Sequence, residues 1–277
     1  MFNVVLRELA ISVTRWLPSS LKQWIHHNRA LDGLARKAFA TAVRAGGDIA
    51  VIDAGPMRGI KLALGEHVSH AHIRGTYEVE TLTAVDQLVK PGMVCYDLGA
   101  SIGYVTLLMA RKAKQVVAFE PAPHAIDEMK RQLAANNFTN VTIVPLPVSD
   151  SERPVEFAVT DTAYGSRINA SNDGKWKMLR FTATTLDKVI TTQPLPDFVK
   201  IDVEDEEGRV LTGAAKLLAG KKPLICCELH SVESAQTVKR ILEENGYRVE
   251  NLDGQPFTVP SEVVPGALQV VGRPISR

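Results

Sequence analysis

The sequence predicts an α/β fold whose core is a doubly wound, mostly parallel, seven-stranded Rossmann-like sheet. Two observations carry this prediction. Short, continuously apolar segments alternate with segments of helical periodicity over most of the 277 residues, as in parallel sheets covered by helices on both faces. One apolar segment, 94–98, runs into a glycine turn that is followed by a helical pattern over 104–114. A helical extension and a small β-hairpin are predicted to precede the sheet.

The N-terminal segment 1–46 differs from the rest of the chain in charge. It carries seven Lys or Arg and two acidic residues, a net charge of +5 that leaves −4 for the remainder. Its pattern predicts two helical pieces within 3–45, interrupted near Pro18. We therefore divide the chain into a basic helical extension, 1–46, and an α/β domain, 47–277. The extension either packs over the domain, which we favour, or contacts an anionic membrane or a partner.

The remaining elements follow in chain order. Alternating apolar residues and turn glycines over 49–64 predict the hairpin. Helices are predicted at 77–89, 104–114, 124–136, 210–218 and 232–245. Strands are predicted at 94–98, 116–119, 141–145, 155–160, 178–185, 198–203, 224–229, 247–252 and 268–271. The strands at 155–160 and 178–185 flank a polar loop, 161–175, and the last two strands predict an antiparallel edge.

Composition narrows the functional class. A net charge of +1 gives no general electrostatic case for a nucleic-acid partner. The three cysteines show neither zinc spacing nor a disulfide framework, which indicates a reducing, cytoplasmic setting. No apolar run reaches the length of a membrane span. Arg7 and Glu8 interrupt the first apolar stretch and argue against a cleaved signal peptide.

The most informative motif is the turn after the strand at 94–98. Gly99 and Gly103 have no Cβ, so a ligand can approach the backbone, and the helix that follows directs free N–H groups toward the turn. Glu120 ends the next apolar strand, where a carboxylate can accept hydrogen bonds from both hydroxyls of a ribose. These features together predict a pocket for a ligand that contains adenosine.

The identity of that ligand depends on Asp97. Dinucleotide-binding turns read G-x-G-x-x-G, whereas this turn reads G-x-x-x-G after an aspartate. A carboxylate would repel a pyrophosphate but suits the ammonium of an amino acid. S-adenosylmethionine (SAM) has that ammonium together with a ribose and an adenine, so we favour SAM over a nicotinamide or flavin dinucleotide.

Two further strand ends offer catalytic groups. Lys200, Asp202 and Glu204 alternate with apolar residues and share one face of their strand, and Glu228 and His230 do the same on the next. Ligands of open α/β sheets lie beyond the carboxyl ends of the strands. Methyl transfer to a hydroxyl benefits from a base, and histidine titrates near neutral pH. Asp202, Glu228 and His230 are therefore the predicted catalytic residues, although each can instead be structural.

An ordered set of motifs resembles the FkbM family of SAM-dependent methyltransferases. In chain order these motifs are Gly75-Thr76-Tyr77-Glu78, Tyr96-Asp97-Leu98-Gly99-Ala100-Ser101-Ile102-Gly103-Tyr104, Phe119-Glu120-Pro121, Val148-Ser149-Asp150, Thr185-Leu186-Asp187, Lys200-Ile201-Asp202-Val203-Glu204 and Glu228-Leu229-His230. The resemblance extends from about residue 55 to 247. It implies a class I methyltransferase fold and O-methylation of a small hydroxylated acceptor such as a sugar, a glycolipid or a secondary metabolite.

The resemblance also implies roles for individual residues. Asp97, Gly99 and Gly103 would hold the methionine part of SAM, with Ser101 in the same turn. Glu78 would lie over the amino-acid end, and Glu120 would accept the ribose hydroxyls. The adenine amine would meet Asp150 or the backbone of Val148 and Ser149. Asp202, Glu228 and His230 would face the acceptor. The oligomeric state is open, and a homodimer is compatible with the sequence.

One departure from the family pattern bears on activity. Asp205 stands where similar proteins have glycine, and Gly208 stands where a larger residue is common. Aspartate tolerates left-handed backbone, so the turn is expected to survive, but its carboxylate is expected to intrude on the acceptor side. This departure and the basic charge of 1–46 together motivate an alternative function, a catalytically impaired SAM-binding or partner-binding module recruited through 1–46.

Two sets of metal-binding residue types occur in the sequence, and we predict no metal at either. The acidic run 202–207 would suit Mg²⁺, but an acidic helix N-terminus explains it more simply. His70 and His72 are expected to lie in a surface loop, since no third ligand is near them in the sequence.

Overall fold

The structure is a computed structural model that describes residues 48–65, 67–159, 166–168, 176–220, 223–263 and 268–275. The predicted helical extension, 1–46, and most of the polar loop, 161–175, lie outside these residues. The boundary between 46 and 47 therefore stays a prediction. The chain divides into two compact units, the first ending at Tyr77 and the second beginning at Glu78. None of the helices in the described ranges is long and apolar enough to cross a membrane.

The first unit contains the predicted hairpin and a short helix. Strands β1 (Ile49–Val51) and β2 (Lys61–Ala63) pair antiparallel, which confirms the hairpin. Helix α1 (His70–Ile73) begins at a Ser69 cap, and its His72 ring is stacked on Tyr77 with the ring centroids 4.2 Å apart. The expectation of a surface loop at His70 and His72 is wrong, because His72 is buried, and burial lowers its pKa to about 4.

The second unit is built on the predicted seven-stranded sheet. Its elements, in chain order, are α2 (Val79–Leu88), β3 (Val94–Leu98), α3 (Tyr104–Ala110), β4 (Gln115–Phe119), α4 (Pro123–Ala135), β5 (Val141–Val144), β6 (Pro154–Val159), β7 (Arg167–Ile168), β8 (Lys177–Thr182), α5 (Leu186–Val189), β9 (Phe198–Ile201), α6 (Glu207–Thr212), α7 (Ala215–Gly220), β10 (Leu224–Glu228), α8 (Val232–Glu244), β11 (Tyr247–Asn251) and β12 (Gln269–Pro274). The strands of the large sheet lie in the order β11-β12-β10-β9-β3-β4-β5.

Strand direction in this sheet confirms the mostly parallel, doubly wound prediction. The pairs β10–β9, β9–β3, β3–β4 and β4–β5 are parallel. Strand β12 is antiparallel to both of its neighbours, β10 and β11, which gives the predicted antiparallel edge. The strand order reverses between β3 and β9, so their carboxyl ends open onto the crevice in which ligands of such sheets bind.

One predicted helix is divided in two. The pattern over 210–218 predicts a single helix, but α6 ends before Gly213 and α7 begins after it. A Cβ at Gly213 would lie 2.3 Å from the carbonyl oxygen of Ser149, so the chain passes Ser149 too closely for any side chain. This contact between distant segments interrupts the helix, and local periodicity carries no sign of it.

A three-stranded sheet, ordered β7-β6-β8, lies between β5 and α5 in the chain. Phe157 of β6 and Ile168 of β7 pack in a buried cluster with Ala122 and Ala125 from the start of α4. Phe181 of β8 meets Phe157 edge-on, with the ring centroids 6.0 Å apart. The small sheet thus brings an apolar wall to the carboxyl edge of β4, beside the predicted ligand pocket.

Candidate functional site

Two glycines of the predicted turn are required by close packing. Gly99 has φ +77°, and a Cβ there would lie 1.8 Å from the carbonyl oxygen of Asp202. Gly103 has φ +85°, and its Cβ would lie 2.6 Å from Cγ of Met129. Ser101, between them, also has a positive φ, +50°. The turn is therefore held tightly against the end of β9 on one side and α4 on the other.

Glu120 closes this turn from the end of β4. Its Oε2 accepts a hydrogen bond from the Ser101 N–H at 2.9 Å, and its Oε1 accepts one from the Ala122 N–H at 2.8 Å. Burial raises the pKa of the Glu120 carboxyl to about 7, although the two N–H groups oppose that rise. Each carboxylate oxygen has a second lone pair, so both can still accept a ligand hydroxyl.

Asp97 at the end of β3 is fully buried and only partly hydrogen-bonded. Its Oδ2 accepts from the Thr106 hydroxyl at 2.6 Å. Its Oδ1 has no hydrogen-bond donor among the described residues and lies 3.8 Å from Nζ of Lys200. Burial raises the pKa of Asp97, and the Lys200 ammonium works against that rise. A buried acceptor without a donor is a costly feature that a cationic ligand group would relieve.

Lys200 links this carboxylate to the next strand end. The Lys200 ammonium, itself buried, donates to Oδ2 of Asp202 at 2.9 Å. Burial alone would lower the pKa of Lys200, but the carboxylates of Asp202, Asp97 and Glu78 outweigh it and raise the pKa. Lys200 therefore stays charged and neutralises part of a crowded acidic site.

Glu78 adds to that negative charge. Its backbone is left-handed, with φ +43°, at the residue preceding α2. Its charge contributes to the raised pKa values of Lys200 and Glu228, which places it near both residues. The predicted role of Glu78 over the amino-acid end of SAM stays a prediction.

The predicted catalytic residues come together beyond β9 and β10. His230 Nδ1 lies 2.8 Å from Oε1 of Glu207. Its Nε2 faces three carboxylates at similar distances, with Glu228 at 3.5 Å, Asp202 at 3.6 Å and Glu204 at 3.7 Å. We call Asp202, Glu204, Glu228 and His230 the strand-end cluster. Its members come from two adjacent strand ends, as the alternation in the sequence predicted.

The charge of His230 follows from these contacts. Burial lowers the pKa of the imidazole, but the hydrogen bond and negative charge of Glu207, with Asp202 and Glu204, raise it to about 9. In the free protein the ring therefore carries a proton at neutral pH. The assignment of His230 as the base stays a prediction, and it requires that this proton first be lost.

Glu207 is the residue that the sequence analysis missed. It is fully buried at the start of α6 and accepts hydrogen bonds from the Ser234 hydroxyl at 2.6 Å and the Asp205 N–H at 3.1 Å. Together with its bond to His230, these contacts tie the β9 loop, α6 and α8 into one arrangement. In the sequence Glu207 is one of several acids at a helix start, and nothing local marks it as the buried one.

The structure also explains the departure at Asp205. This residue has φ +75°, so the left-handed turn survives as expected. Its side chain is exposed, and the expected intrusion of its carboxylate on the acceptor side stays a prediction. Close packing explains the glycine at position 208. A Cβ there would lie 2.7 Å from Cγ2 of Thr237 and would separate α6 from α8.

The two residues assigned to the adenine end occupy a polar network. Ser149 is buried and donates to Oε2 of Glu206 at 2.8 Å. Asp150 accepts from Arg209 at 2.9 Å and forms an ion pair with Arg153 at 3.4 Å. Oδ1 of Asp150 also accepts from the Ser151 hydroxyl at 2.9 Å, whereas Oδ2 accepts only from Arg209 among the described residues and keeps a second lone pair for the adenine amine. Both assignments stay predictions.

A cleft of roughly 400 Å³, part of it open to solvent, joins the two halves of the site. Gly99, Glu120 and Asp202 all line it. Its apolar wall includes Pro147, Val148, Phe157, Ile168 and Val203. The cleft therefore extends from the predicted cofactor turn to Asp202 of the strand-end cluster.

Comparison with known proteins identifies the family of this chain. A model of the methyltransferase FkbM domain matches residues 97–249, more than half of the chain. Hexuronic acid methyltransferase AglP of Haloferax volcanii is 26% identical over 155 residues, which are 54% of this chain and 62% of that protein. The match thus spans less than two thirds of the relative's length.

Solved structures give similar results. The FkbM methyltransferase of Methylobacillus flagellatus KT has a TM-score of 0.42 at 16% identity, covering 71% of this chain and 54% of the other. The putative methyltransferase SMU.1697c of Streptococcus mutans, solved with S-adenosylhomocysteine (SAH), has a TM-score of 0.43 at 12% identity, covering 69% and 93%. On the evidence of the matched domain model, the chain belongs to the FkbM family of methyltransferases.

Proposed function

We propose that this protein transfers a methyl group from SAM to a hydroxyl oxygen of a small acceptor such as a sugar. The observation that carries the proposal is the position of Asp202. It lines the same cleft as Gly99 and Glu120, and its Oδ1 faces His230 from 3.6 Å. One residue thus adjoins both the predicted cofactor turn and the predicted acceptor groups, as a transfer between two bound molecules requires.

The residues of the turn fit SAM. The close approach of Gly99 to the Asp202 carbonyl leaves a backbone surface without side chains, and the buried Oδ1 of Asp97 lacks a donor that an ammonium would supply. Glu120 retains one free lone pair on each oxygen for the two ribose hydroxyls. Pro147 and Val148 would pack against the adenine. These features support SAM over a ligand with a pyrophosphate, which Asp97 and Glu120 would repel.

In methyl transfer the main task of the protein is to position SAM and the acceptor hydroxyl. When bound, SAM supplies a methyl group on an already activated sulfur. The strand-end cluster then has two tasks, which are to orient the acceptor hydroxyl by accepting its hydrogen bond and to take its proton. The apolar wall at Phe157 and Ile168 would exclude water from the cleft.

The charge of the strand-end cluster bears on the acceptor. Three carboxylates surround His230, and Lys200 neutralises only part of their charge. Such a surface favours a neutral polyol over an anionic acceptor. The relative AglP is named for a hexuronic acid. We therefore propose neutral glycosides as acceptors here, and a uronate as an acceptor only when a cation offsets these charges.

Calorimetry with SAM and SAH tests the cofactor half of the proposal. We expect binding by the wild-type protein and much weaker binding by Glu120→Ala, with Glu156→Ala, an exposed acid on the small sheet, as the control. Release of SAH across a panel of neutral glycosides and the matching uronates tests the acceptor half. If the folded protein binds neither SAM nor SAH at about 1 mM, a concentration at which even weak ligands register, the proposal is wrong.

The alternative function is a SAM-binding or partner-binding module without catalysis. It rests on Asp205, whose side chain is exposed, and on the charge of 1–46, which lies outside the described residues. It predicts cofactor binding without methyl transfer to any acceptor in the panel. Four further points stay predictions. They are a cytoplasmic location, the absence of a nucleic-acid partner, membrane contact through 1–46 and a homodimer. Light scattering and vesicle co-sedimentation of the full chain and of a chain without 1–46 would test the last two.

A further inference from the structure

We propose that Asp202, Glu228 and His230 bind a divalent transition-metal ion, Mn²⁺ or Zn²⁺. One oxygen from each carboxylate and one nitrogen of the imidazole lie within 4.8 Å of one another. The Nε2 atom is 3.5 Å from Oε1 of Glu228 and 3.6 Å from Oδ1 of Asp202. Two ligands about 2.1 Å from a common ion and this far apart subtend an angle of about 115° at it, close to tetrahedral.

The orientation of His230 is an independent indication. The side chain is almost fully buried, with 7% of it exposed, and Glu207 fixes the ring through Nδ1. Among the described residues its Nε2 has no hydrogen-bond partner, and it points between the carboxylates of Asp202, Glu204 and Glu228, none closer than 3.5 Å. A histidine held on one nitrogen by a buried carboxylate, with the other nitrogen directed at further acidic ligands, is the arrangement that metal sites use to orient imidazole.

The surrounding contacts leave the proposed ligand atoms available. Lys200 binds Oδ2 of Asp202 and leaves Oδ1 directed at His230. Gln269 lies 3.4 Å from Oε2 of Glu228 and leaves Oε1 directed there as well. Each carboxylate is thus anchored through one oxygen and directs the other toward Nε2 of His230. Glu204, with its Oε2 at 3.7 Å from Nε2, lies beside these three residues and adds to their negative charge.

The mixed ligand set indicates the metal. Imidazole suits Zn²⁺ and other transition metals, whereas Mg²⁺ and Ca²⁺ prefer oxygen ligands throughout. Three protein ligands with an open position are typical of catalytic rather than structural sites. Because Asp202 lines the cleft, an ion held by this residue would be near the acceptor and would orient its hydroxyl. That last role depends on the proposed function, whereas metal binding itself does not.

The competing explanation is that a proton on Nε2 alone holds the carboxylates together. The two explanations predict different results when metal is titrated into the chelator-treated full-length protein, without SAM or acceptor. Electron paramagnetic resonance of free Mn²⁺, and equilibrium dialysis with elemental analysis for Zn²⁺, would count the bound ions. We expect saturation at about one ion per chain below about 1 mM metal. Less than a tenth of an ion per chain at about that concentration would overturn the proposal.

Variants locate the ion. His230→Ala and Asp202→Asn are expected to weaken binding by about 100-fold, and Glu207→Gln by about 10- to 100-fold through loss of the buried anchor. Glu233→Gln, an exposed acid on the adjacent helix, should bind like the wild type. If His230→Ala does not fold, Glu228→Gln, nearly equal in size, replaces it. Wild-type affinity in the folded ligand variants would also overturn the proposal.

These measurements separate the metal from the methyl transfer. SAM binding is measured in chelator, and metal binding is measured without SAM. Metal binding by a protein that does not bind SAM would leave the site intact and remove the proposed function. SAM-dependent methylation that proceeds at full rate in chelator, by a protein that binds no metal, would remove the metal site and leave the proposed function intact.

Discussion

The cofactor side and the acceptor side of the cleft are built in different ways. The turn from Gly99 to Gly103 is shaped by backbone, with three positive φ angles and two approaches too close for a Cβ. The strand-end cluster is shaped by side-chain charge, with His230 among three carboxylates and a fourth, Glu207, buried behind it. The first depends on steric fit and the second on electrostatics. Substitutions in the two halves should therefore fail in different ways.

This difference also separates binding from turnover. The turn and Glu120 would set the affinity for SAM, which is a property of the complex before any chemistry. The cluster would act on the acceptor, so it should set the rate at saturating SAM. Lys200 contacts Asp97 on one side and Asp202 on the other, and it is the one described side chain with ion pairs to both halves. Variants on each side of Lys200 would show how far this separation holds.

The largest effect is expected from Gly99→Ala. Its Cβ would lie 1.8 Å from the Asp202 carbonyl oxygen, so β9 or the turn must move, in addition to the strain of a left-handed alanine. We expect a loss of at least about 3 kcal/mol of unfolding free energy and loss of detectable SAM binding. Denaturant unfolding and calorimetry would measure both.

Gly92→Ala is the matched control. Gly92 has φ +87°, but a Cβ at this position would meet no described atom within 4 Å, so only backbone strain is added. That strain should cost about 1–2 kcal/mol and leave SAM affinity unchanged. Equal losses in the two variants would mean that the turn is not pressed against Asp202, and the account of the cofactor side would then fail.

Glu207→Gln should affect turnover without affecting binding. The amide keeps the size of the side chain but loses the charge that orients His230, and one of its two ends can no longer accept. We expect a fall of about 100-fold in kcat, the typical contribution of a positioned acid–base group, with SAM affinity within about threefold of wild type. Single-turnover kinetics and calorimetry would separate the two quantities.

Glu206→Gln is the matched comparison for Glu207→Gln. Glu206 is also buried, but it accepts from Ser149 and lies near Arg153 and Arg209, on the side predicted for adenine. Glu206→Gln should weaken SAM binding several-fold and leave kcat at saturating SAM nearly unchanged. The reverse pattern in this pair would show that binding and turnover are not divided between the two sides of the cleft.

Much of the fold could be predicted from the sequence, because its signals are local. Apolar strands, helical periodicity and the turn glycines are visible within short windows, and the sheet follows from their order. The break at Gly213 could not be predicted, since it depends on the Ser149 carbonyl from another segment.

In the site, too, local signals could be predicted and contacts between distant segments could not. The residues of the strand-end cluster were predicted because strand ends of a parallel sheet meet at one edge. The charge on His230 and the role of Glu207 were not predicted. Burial of Glu207 depends on Ser234 and His230, which follow β10, more than 20 residues after Glu207 in the chain. Which acid in a run of several becomes buried is a matter of tertiary packing, and the same run could equally have been a solvated helix start.

A tenfold effect is expected from pH on the cofactor side. The pKa of Glu120 is raised to about 7 by burial, so its carboxyl is protonated below that pH in the free protein. The ribose hydroxyls bind the ionised form, so SAM affinity should fall as the pH falls through 7. Between pH 8 and pH 6 the expected loss is about tenfold. Calorimetry at several pH values would measure it, and Glu120→Gln should show weaker binding with no such dependence.

The smallest effect is expected from Asp205→Gly, which restores the glycine of similar proteins. Asp205 already adopts the left-handed backbone that glycine favours, and its side chain is exposed and does not line the cleft. Relief of the left-handed strain should stabilise the protein by at most about 1 kcal/mol. Because Glu207 still accepts the N–H at this position, kcat and SAM affinity should stay within about twofold of wild type. A large gain in turnover would instead mean that Asp205 impairs the acceptor side, and it would support the non-catalytic alternative for the natural chain.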